Sequence, residues 1–492
     1  MSRSMRLSAL ADGLFAVPAD ADRDIRGLCA DSRAVADGDA FLAVPGLSAH
    51  GLSYLNAEQA AKAAVVLFEP PAPAGAAPPP NALPVPELKR LQAALADRFY
   101  GAPSKAMTVV GVTGTNGKTS TVQLIAQAFT LLGRVAGTIG TLGTGLYGRL
   151  QAGERTTPDV IAVHRALGAM RDDGATLVAM EVSSHALDQG RVAEVVFDTA
   201  VFSNLTQDHL DYHGTMAAYF EAKATLFAWP GLRHAVINID DAYGRELAGR
   251  LPSGLAVIRT SSAGAAVADL RADDVRLGLD GMRFRLCEAG AEVEVASPLL
   301  GRFNVDNLLA VAGVLRAQGL PLADVAALLG RLDPVGGRMS RLGGSDGKPL
   351  VVVDYAHTPD ALEQALKTLR GHSQARLICV FGCGGDRDRG KRPLMAASVE
   401  QWADAVWVTD DNPRSESGDA IVAEIRAGFR APERVCVQRD RRRAIAEAIA
   451  EADAGDIVLI AGKGHETYQE VNGVKTPFDD RAVAGECLQV AA

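Results

Sequence analysis

Cysteine is scarce in this sequence: six residues are scattered through 492, and only Cys379 and Cys383 lie close together. No CxxC pair and no Cys/His zinc spacing occurs, which excludes a disulfide scaffold and a zinc module and fits a reduced compartment. An excess of basic charge is also missing. The formal net charge is −9, so no basic face is on offer for nucleic acid. The brief run Arg441-Arg442-Arg443, just after Asp440, reads as a solvated helix start. Long apolar runs are absent too. Nothing approaches the roughly 20 apolar residues of a membrane span, and Asp12 interrupts any leader-like core behind Arg3 and Arg6. The expectation is a cytoplasmic protein without membrane insertion or a nucleic-acid partner.

What is present is ordinary globular composition, 48% hydrophobic and 22% charged. The length predicts two to four domains. Residues 1–103 carry short strand-like runs at 40–44 and 64–68, and Leu83 to Tyr100 reads as a strand and a helix. The Pro/Ala-rich stretch from Pro70 to Pro86 between them reads as a surface loop, with an interdomain linker as the alternative. From Met107 strands alternate with helices, the pattern of parallel α/β architecture. Strands are predicted at 107–112, 177–182, 199–203 and 235–239, with a helix from Lys118 to Leu132. Residues 273–296 alternate polar and apolar around Asp280-Gly281 and predict antiparallel β. Leu308 to Leu329 reads as two helices broken at Gly319 and Pro321. A second α/β unit has strands at 350–353, 377–381, 405–409 and 457–461, after a hinge at Asp333-Pro334-Val335-Gly336-Gly337. Three domains are expected: 1–103, 104–333 and 334–492.

Chemistry is concentrated in Thr113-Gly114-Thr115-Asn116-Gly117-Lys118-Thr119-Ser120, set between a strand and a helix. Glycines let backbone N–H groups turn around phosphate oxygens, and the helix start adds its positive dipole end. Lys118 would reach the terminal phosphates and Thr119 would offer its hydroxyl to Mg²⁺. The usual P-loop glycine five places before Gly117 is replaced by Val112, so this is a shorter variant.

That variant resembles the ATP loop of the Mur ligases and their folylpolyglutamate synthetase relatives. The resemblance implies an α/β fold of three domains: a smaller N-terminal α/β domain, a central P-loop-type parallel sheet, and a C-terminal Rossmann-like domain. In Met180-Glu181-Val182-Ser183-Ser184-His185, Glu181 matches the family's magnesium carboxylate, and His209, in Asn204-Leu205-Thr206-Gln207-Asp208-His209, matches its metal-binding histidine. Lys223 would ordinarily be a solvent-facing helix lysine, but the chain has only ten lysines against forty arginines. The resemblance implies that it is carbamylated and helps hold a second Mg²⁺. Asn304 and Asn307 look like nucleotide contacts, although Phe303 stands where the pattern often has histidine. Arg338 and Asp354 resemble the third domain's contribution to ATP, with an interdomain ion pair as the alternative.

The ends of the chain imply which substrates. Asp31-Ser32-Arg33 and Gly46-Leu47-Ser48-Ala49-His50-Gly51 resemble the UDP-binding domain of the family's third amino-acid-adding enzyme. Ser32, Leu47, Ser48 and Ala49 are the candidate contacts there. Thr156, Thr157, Ser183, Gln189 and Arg191 match positions facing the muramoyl dipeptide; Arg155 departs from an asparagine and is left out. Asp411-Asn412-Pro413-Arg414 is similar to the family's recognition motif for meso-diaminopimelate, whose distal carboxylate suits a guanidinium fork. Alone it is a common turn; Arg387, Gly462 and Glu466 join it, Glu466 as acceptor for the distal ammonium. The implied reaction uses ATP and Mg²⁺ to join diaminopimelate to the D-glutamate γ-carboxylate of UDP-MurNAc-L-Ala-D-Glu through an acyl phosphate, by a monomer. The rivals are a lysine- or glutamate-adding ligase and a nucleotide-binding regulator without activity, the latter disfavoured by Glu181, His209 and Lys223 together.

Overall fold

The computed structural model describes residues 3–46, 49–153, 155–337 and 339–489. They fall into two compact units, Met1–Ile258 and Arg259–Ala492, taken in turn.

In the first unit, the short apolar runs near the start form a parallel four-stranded sheet in the order Gly27–Cys29, Asp39–Ala43, Val65–Phe68, Ala82–Pro84. Helix Leu88–Phe99 buries Leu88, Leu95 and Phe99 in the same core. The Pro/Ala-rich stretch joins two neighbouring strands of this sheet, so it is a loop within the sheet and no linker.

The second sheet of this unit places Thr108–Thr113 between Leu177–Glu181 and Thr199–Phe202, all parallel. Ala136–Gly140 lies beyond Leu177–Glu181, and His234–Asn238 beyond Thr199–Phe202. From Thr113 the chain crosses first to one side and later to the other, so a crevice opens at the carboxyl end of this strand, where open α/β sheets take ligands. Helix Lys118–Leu131 follows directly and buries Val122, Ile125 and Phe129 against the sheet. Strand Ala136–Gly140 and the antiparallel pieces Gly143–Leu146 and Arg149–Gln151 beside it were not predicted.

The second unit opens with an antiparallel meander, Leu270–Gly278, Gly281–Glu288 and Ala291–Ser297, turning at Asp280-Gly281 as the alternation predicts. Helices Phe303–Ala317 and Leu322–Leu329 follow, broken at Gly319 and Pro321. A six-stranded sheet has the order Ser340–Gly343, Leu350–Asp354, Ile457–Ala461, Leu377–Phe381, Ala405–Val408, Val435–Val437, parallel apart from its first strand. Its three central strands, Leu350–Asp354, Ile457–Ala461 and Leu377–Phe381, are buried on both faces, which is why they read as continuous apolar runs.

The basic run after Asp440 needs correcting. Asp440 does cap helix Arg441–Glu451, but Arg441 is fully buried. It makes two 2.8 Å bonds to the equally buried Asp480 and donates to Ala461 O. Only Arg442 and Arg443 are solvated in the way expected.

Candidate active site

Three neighbouring strand ends build the site of the first unit. The loop after Thr113 takes its shape from backbone donors and from the segment that follows Phe202. Thr115 N–H donates to Asn204 O at 2.8 Å, Asn116 N–H to Asn204 Oδ1 at 2.9 Å, and Ser203 Oγ to Asn116 O at 2.6 Å. Gly114 sits at φ +145°, where a Cβ would fall 2.0 Å from Ser203 Oγ, so this position requires glycine.

Lys118, first residue of its helix, donates to Gly114 O at 2.9 Å and Thr115 O at 2.8 Å. Lys223, on helix Met216–Ala224, is 1% exposed and donates to the same Gly114 O at 2.8 Å, with its ammonium 4.6 Å from the centre of the Tyr219 ring. Burial lowers the pKa of Lys118. Burial, aided by the nearby Lys118 charge, lowers Lys223 to about 6.

Glu181, at the end of the adjacent strand, is 1% exposed and accepts from Thr119 Oγ1 at 3.0 Å, Thr141 N–H at 2.7 Å and Thr141 Oγ1 at 3.3 Å. Burial raises its pKa against those hydrogen bonds and the Lys118 charge. A Cβ on Gly140 would lie 2.3 Å from Glu181 Oε1, so that glycine makes room for the carboxylate. Two of the four residues expected at Mg²⁺, Thr119 and Glu181, are therefore in direct contact. His209 sits at φ +51° before helix Leu210–His213, with ring centroids 4.8 Å from His185 and 6.1 Å from Tyr219. Among the described residues no three His, Cys, Asp or Glu side chains gather as a ready metal nest. A Mg²⁺ site here would draw on a hydroxyl and a modified lysine as well, and the oxygen donors present fit a hard cation.

The dipeptide-facing candidates surround the back of Glu181. Thr157 Oγ1 donates to Glu181 O at 2.7 Å and accepts from Ser183 N–H at 3.2 Å, and Thr156 Oγ1 is 3.1 Å from Thr141 Oγ1. Arg191 donates to Thr157 O at 2.9 Å and, from Nε and Nη2, to Gln189 Oε1 at 3.0 and 2.6 Å. Ser32 is buried at the start of the short helix Ser32–Ala34, and Ala49 accepts from Gly46 N–H at 2.9 Å. Leu47 and Ser48 lie outside the described residues.

In the second unit, Asn304 and Asn307 are buried and bond to each other at 2.7 Å, while Phe303 beside them is 45% exposed. Asp354 accepts from Met339 N–H and Ala356 N–H; Arg338 lies outside the described residues. The amino-acid candidates gather beyond the ends of the adjacent parallel strands Leu377–Phe381, Ala405–Val408 and Ile457–Ala461. Arg414 occupies φ +51°, donates from Nη1 to Gly385 O at 2.7 Å, and has Nε 3.8 Å from Glu470 Oε2. A Cβ on Gly384 would lie 2.9 Å from Arg414 Nη1, so this glycine makes room for the Arg414 guanidinium, with the Arg387 stem at ordinary contact distance, 3.8 Å to Cγ. Asn412 Nδ2 donates to Glu466 Oε2 at 2.9 Å, and Gly462, at φ +118°, has space for a Cβ only 2.9 Å from Asp411 Oδ2. Pro413 is buried, its carbonyl against Gly385.

Three contributors escaped the sequence reading. Thr141 and Asn204 act through hydrogen bonds that no spacing announces, although Asn204 lies inside a recognised motif. Lys463 lies between Gly462 and Glu466 and is fully buried; a lysine in an apolar-flanked strand end was the available signal.

Comparison with known proteins agrees with this geometry. The Mur ligase middle domain profile matches residues 112–315, and the Mur ligase, glutamate ligase domain profile matches 337–464. The chain is 60% identical over 488 residues to the UDP-N-acetylmuramoyl-L-alanyl-D-glutamate–2,6-diaminopimelate ligase of Xanthomonas campestris pv. campestris strain 8004, covering 99% of this chain and 98% of that protein. It is 57% identical over 488 residues to the protein of that name from Xylella fastidiosa strain Temecula1, again over 99% and 98%. A solved structure of a UDP-N-acetylmuramoyl-L-alanyl-D-glutamate–2,6-diaminopimelate ligase superposes with a TM-score of 0.76 at 37% identity, covering 99% of each chain. With the loop, the buried carboxylate and both profiles in order along it, the chain belongs to the Mur ligase family.

Proposed function

We propose that this protein is the ATP-dependent ligase that joins meso-diaminopimelate to the γ-carboxylate of D-glutamate in UDP-MurNAc-L-Ala-D-Glu. It works as a cytoplasmic monomer with domains 1–103, 104–333 and 334–492; among the described residues no helix is long and apolar enough to cross a membrane. The observation that carries the reading is the contact of Thr119 with Glu181 directly beside the phosphate loop and its two lysines. A nucleotide-binding regulator can use one such carboxylate at Mg²⁺, but has no call for the second metal site that Glu181, His209 and Lys223 together would form.

The reaction has two steps. A γ-carboxylate oxygen attacks the ATP γ-phosphorus, the bond to the bridging oxygen breaks, and ADP leaves. The amine of diaminopimelate then attacks the acyl carbon, an amide forms, and phosphate leaves with the bonding pair while the amine gives up a proton. The chain supplies charge and position. Lys118 neutralises phosphoryl oxygens, and Thr156, Thr157, Ser183, Gln189 and Arg191 hold the dipeptide so that its carboxylate faces them. Thr119, Glu181, His209 and a carbamylated Lys223 would hold Mg²⁺, which supplies further neutralisation of phosphoryl charge when bound. The pKa of Lys223 near 6 supports the carbamate: at neutral pH its amine is unprotonated, its lone pair adds to the carbon of CO₂, and the proton passes to solvent.

Arg414, whose guanidinium reaches past Gly384, and Arg387, whose stem lies beside the same glycine, favour an amino acid with a second carboxylate over lysine. A phosphate-release assay with ATP and the UDP-dipeptide tests the whole reading. Release is expected with diaminopimelate and little above background with lysine or buffer; equal release with lysine would overturn the substrate assignment.

A further inference from the structure

Two lysines are buried among the described residues, Lys223 and Lys463. The reaction above employs the first and leaves the second without a role. A buried ammonium is costly unless acceptors surround it, and Lys463 has three. Its Nζ is 2.9 Å from Asn412 Oδ1, 3.4 Å from Asp411 Oδ1 and 3.5 Å from Glu466 Oε2. The first two are hydrogen bonds and the third an ion-pair contact, so the ammonium is enclosed by acceptors of this chain.

The same contacts fix the groups around it. Asn412 Oδ1 faces two donors, Lys463 Nζ and Glu470 N–H, the latter at 2.9 Å, while its Nδ2 faces the Glu466 carboxylate. The amide has one sensible orientation. Glu466 Oε2 is engaged by both Asn412 and Lys463. Its Oε1 has no protein hydrogen-bond partner among the described residues, on a side chain 22% exposed. One carboxylate oxygen is tied inward and the other is turned out.

We infer that Lys463 is a positioning residue for amino-acid binding, acting through Glu466 and Asn412 to hold one Glu466 oxygen toward the ligand's ammonium. The inference rests on the proposed reading of Glu466 as the acceptor for that ammonium. Without the Lys463 charge, Glu466 loses the cation that anchors Oε2, and the carboxylate is free to turn or to take up a proton.

Four proteins test it: the unaltered chain, Lys463→Met, Glu466→Gln and the double variant, each checked by a melting curve and assayed for KM of diaminopimelate and of ATP. Lys463→Met is expected to raise KM for diaminopimelate on the order of 10- to 150-fold, the effect of one lost charge-assisted contact, and to leave KM for ATP unchanged. Glu466→Gln is expected to raise it comparably. The double variant should match Glu466→Gln, since Lys463 then has no carboxylate left to position. It removes one charge of each sign, so it stays informative even if Lys463→Met alone fails to fold. Full multiplication of the two single effects, or a parallel rise in KM for ATP, would overturn the positioning role while leaving Glu466 its own. An unchanged KM in Glu466→Gln would overturn the reading of Glu466, and the inference with it.

Discussion

Around the phosphate loop of the first unit, two lysines donate to one carbonyl, Gly114 O, and the buried carboxylate of the site, Glu181, is bonded to hydroxyls and a backbone N–H. In the amino-acid region of the second unit, each buried cation already faces an anion. Lys463 meets Asp411 and Glu466, Arg441 meets Asp480, and Arg392 meets Glu416 and Glu424. The Lys118 charge is therefore held in reserve, with no carboxylate at hydrogen-bond distance, and burial lowers both lysine pKa values and raises that of Glu181. A polyanion arriving there meets a Lys118 ammonium held by backbone carbonyls and by no carboxylate. The second region has its charges paired in advance, and on the proposed reading its selectivity comes from arrangement, with Arg387, Arg414 and the outward Glu466 oxygen meeting the ligand.

Removing reserve charge should stop the reaction without touching the fold. Lys118→Ala is expected to abolish turnover while leaving the melting temperature within a few degrees of the parent. Near-normal ATP-dependent product formation would break the contrast at its first term. Lys223→Ala should also be severely impaired, with partial recovery in added formate or acetate, which can occupy the place of the missing carbamate; normal activity with unaltered magnesium dependence would refute that role.

Arg414 sharpens the second term. Losing a charge-assisted contact costs about 1.5–3 kcal/mol, so Arg414→Ala should raise KM for diaminopimelate roughly 10- to 150-fold and leave KM for ATP alone. Poor use of lysine should change little, since lysine has no distal carboxylate to lose. Arg414 also bonds Gly385 O and pairs with the Glu470–Asn472 backbone. A purely stapling role would lower stability and damage both amino acids alike.

The paired charges can be broken without touching the ligand. Asp480→Asn leaves the buried Arg441 uncompensated, which costs about 3–5 kcal/mol of stability, while KM values of the remaining folded protein should hold. The smallest effect expected is a gain. Lys223 has its folded pKa lowered from 10.5 to about 6, so between those values the unfolded chain binds the extra proton and stability rises with pH. Lys223→Met removes that penalty. Against a parent kept free of CO₂, so that its amine is unmodified, its melting temperature should be higher by a few degrees at pH 7 and by less at pH 9, although it is inactive. A lower melting temperature at pH 7 would contradict the reserve-charge account.

Most of the framework was legible because central strands are apolar on both faces: 377–381 and 457–461 are found to the residue. Strand Ala136–Gly140 escaped because glycine and threonine occupy three of its five places, a composition that reads as turn. Hairpin Tyr468–Val471 and Val474–Pro477 is short, polar and exposed, so no period marks it. At the site, motifs located Lys118, Glu181 and the Asp411–Arg414 run, where residue type alone carries the chemistry. Arg441 and Lys463 could not be placed in this way. Each owes its role to a partner brought by the fold, Asp480 in one case and Asp411 and Glu466 in the other, and a lone charge in sequence reads as solvated.

The central claim is that the reserve charge of the first unit serves attack by the dipeptide's own carboxylate on the γ-phosphorus. Labelling that γ-carboxylate with ¹⁸O and analysing the released phosphate by mass spectrometry tests it directly. One labelled oxygen should be carried into each phosphate, because the bridging oxygen of the acyl phosphate leaves with phosphorus when the amide forms. Unlabelled phosphate released in step with amide would mean that water or another group attacks instead, and the account would fail.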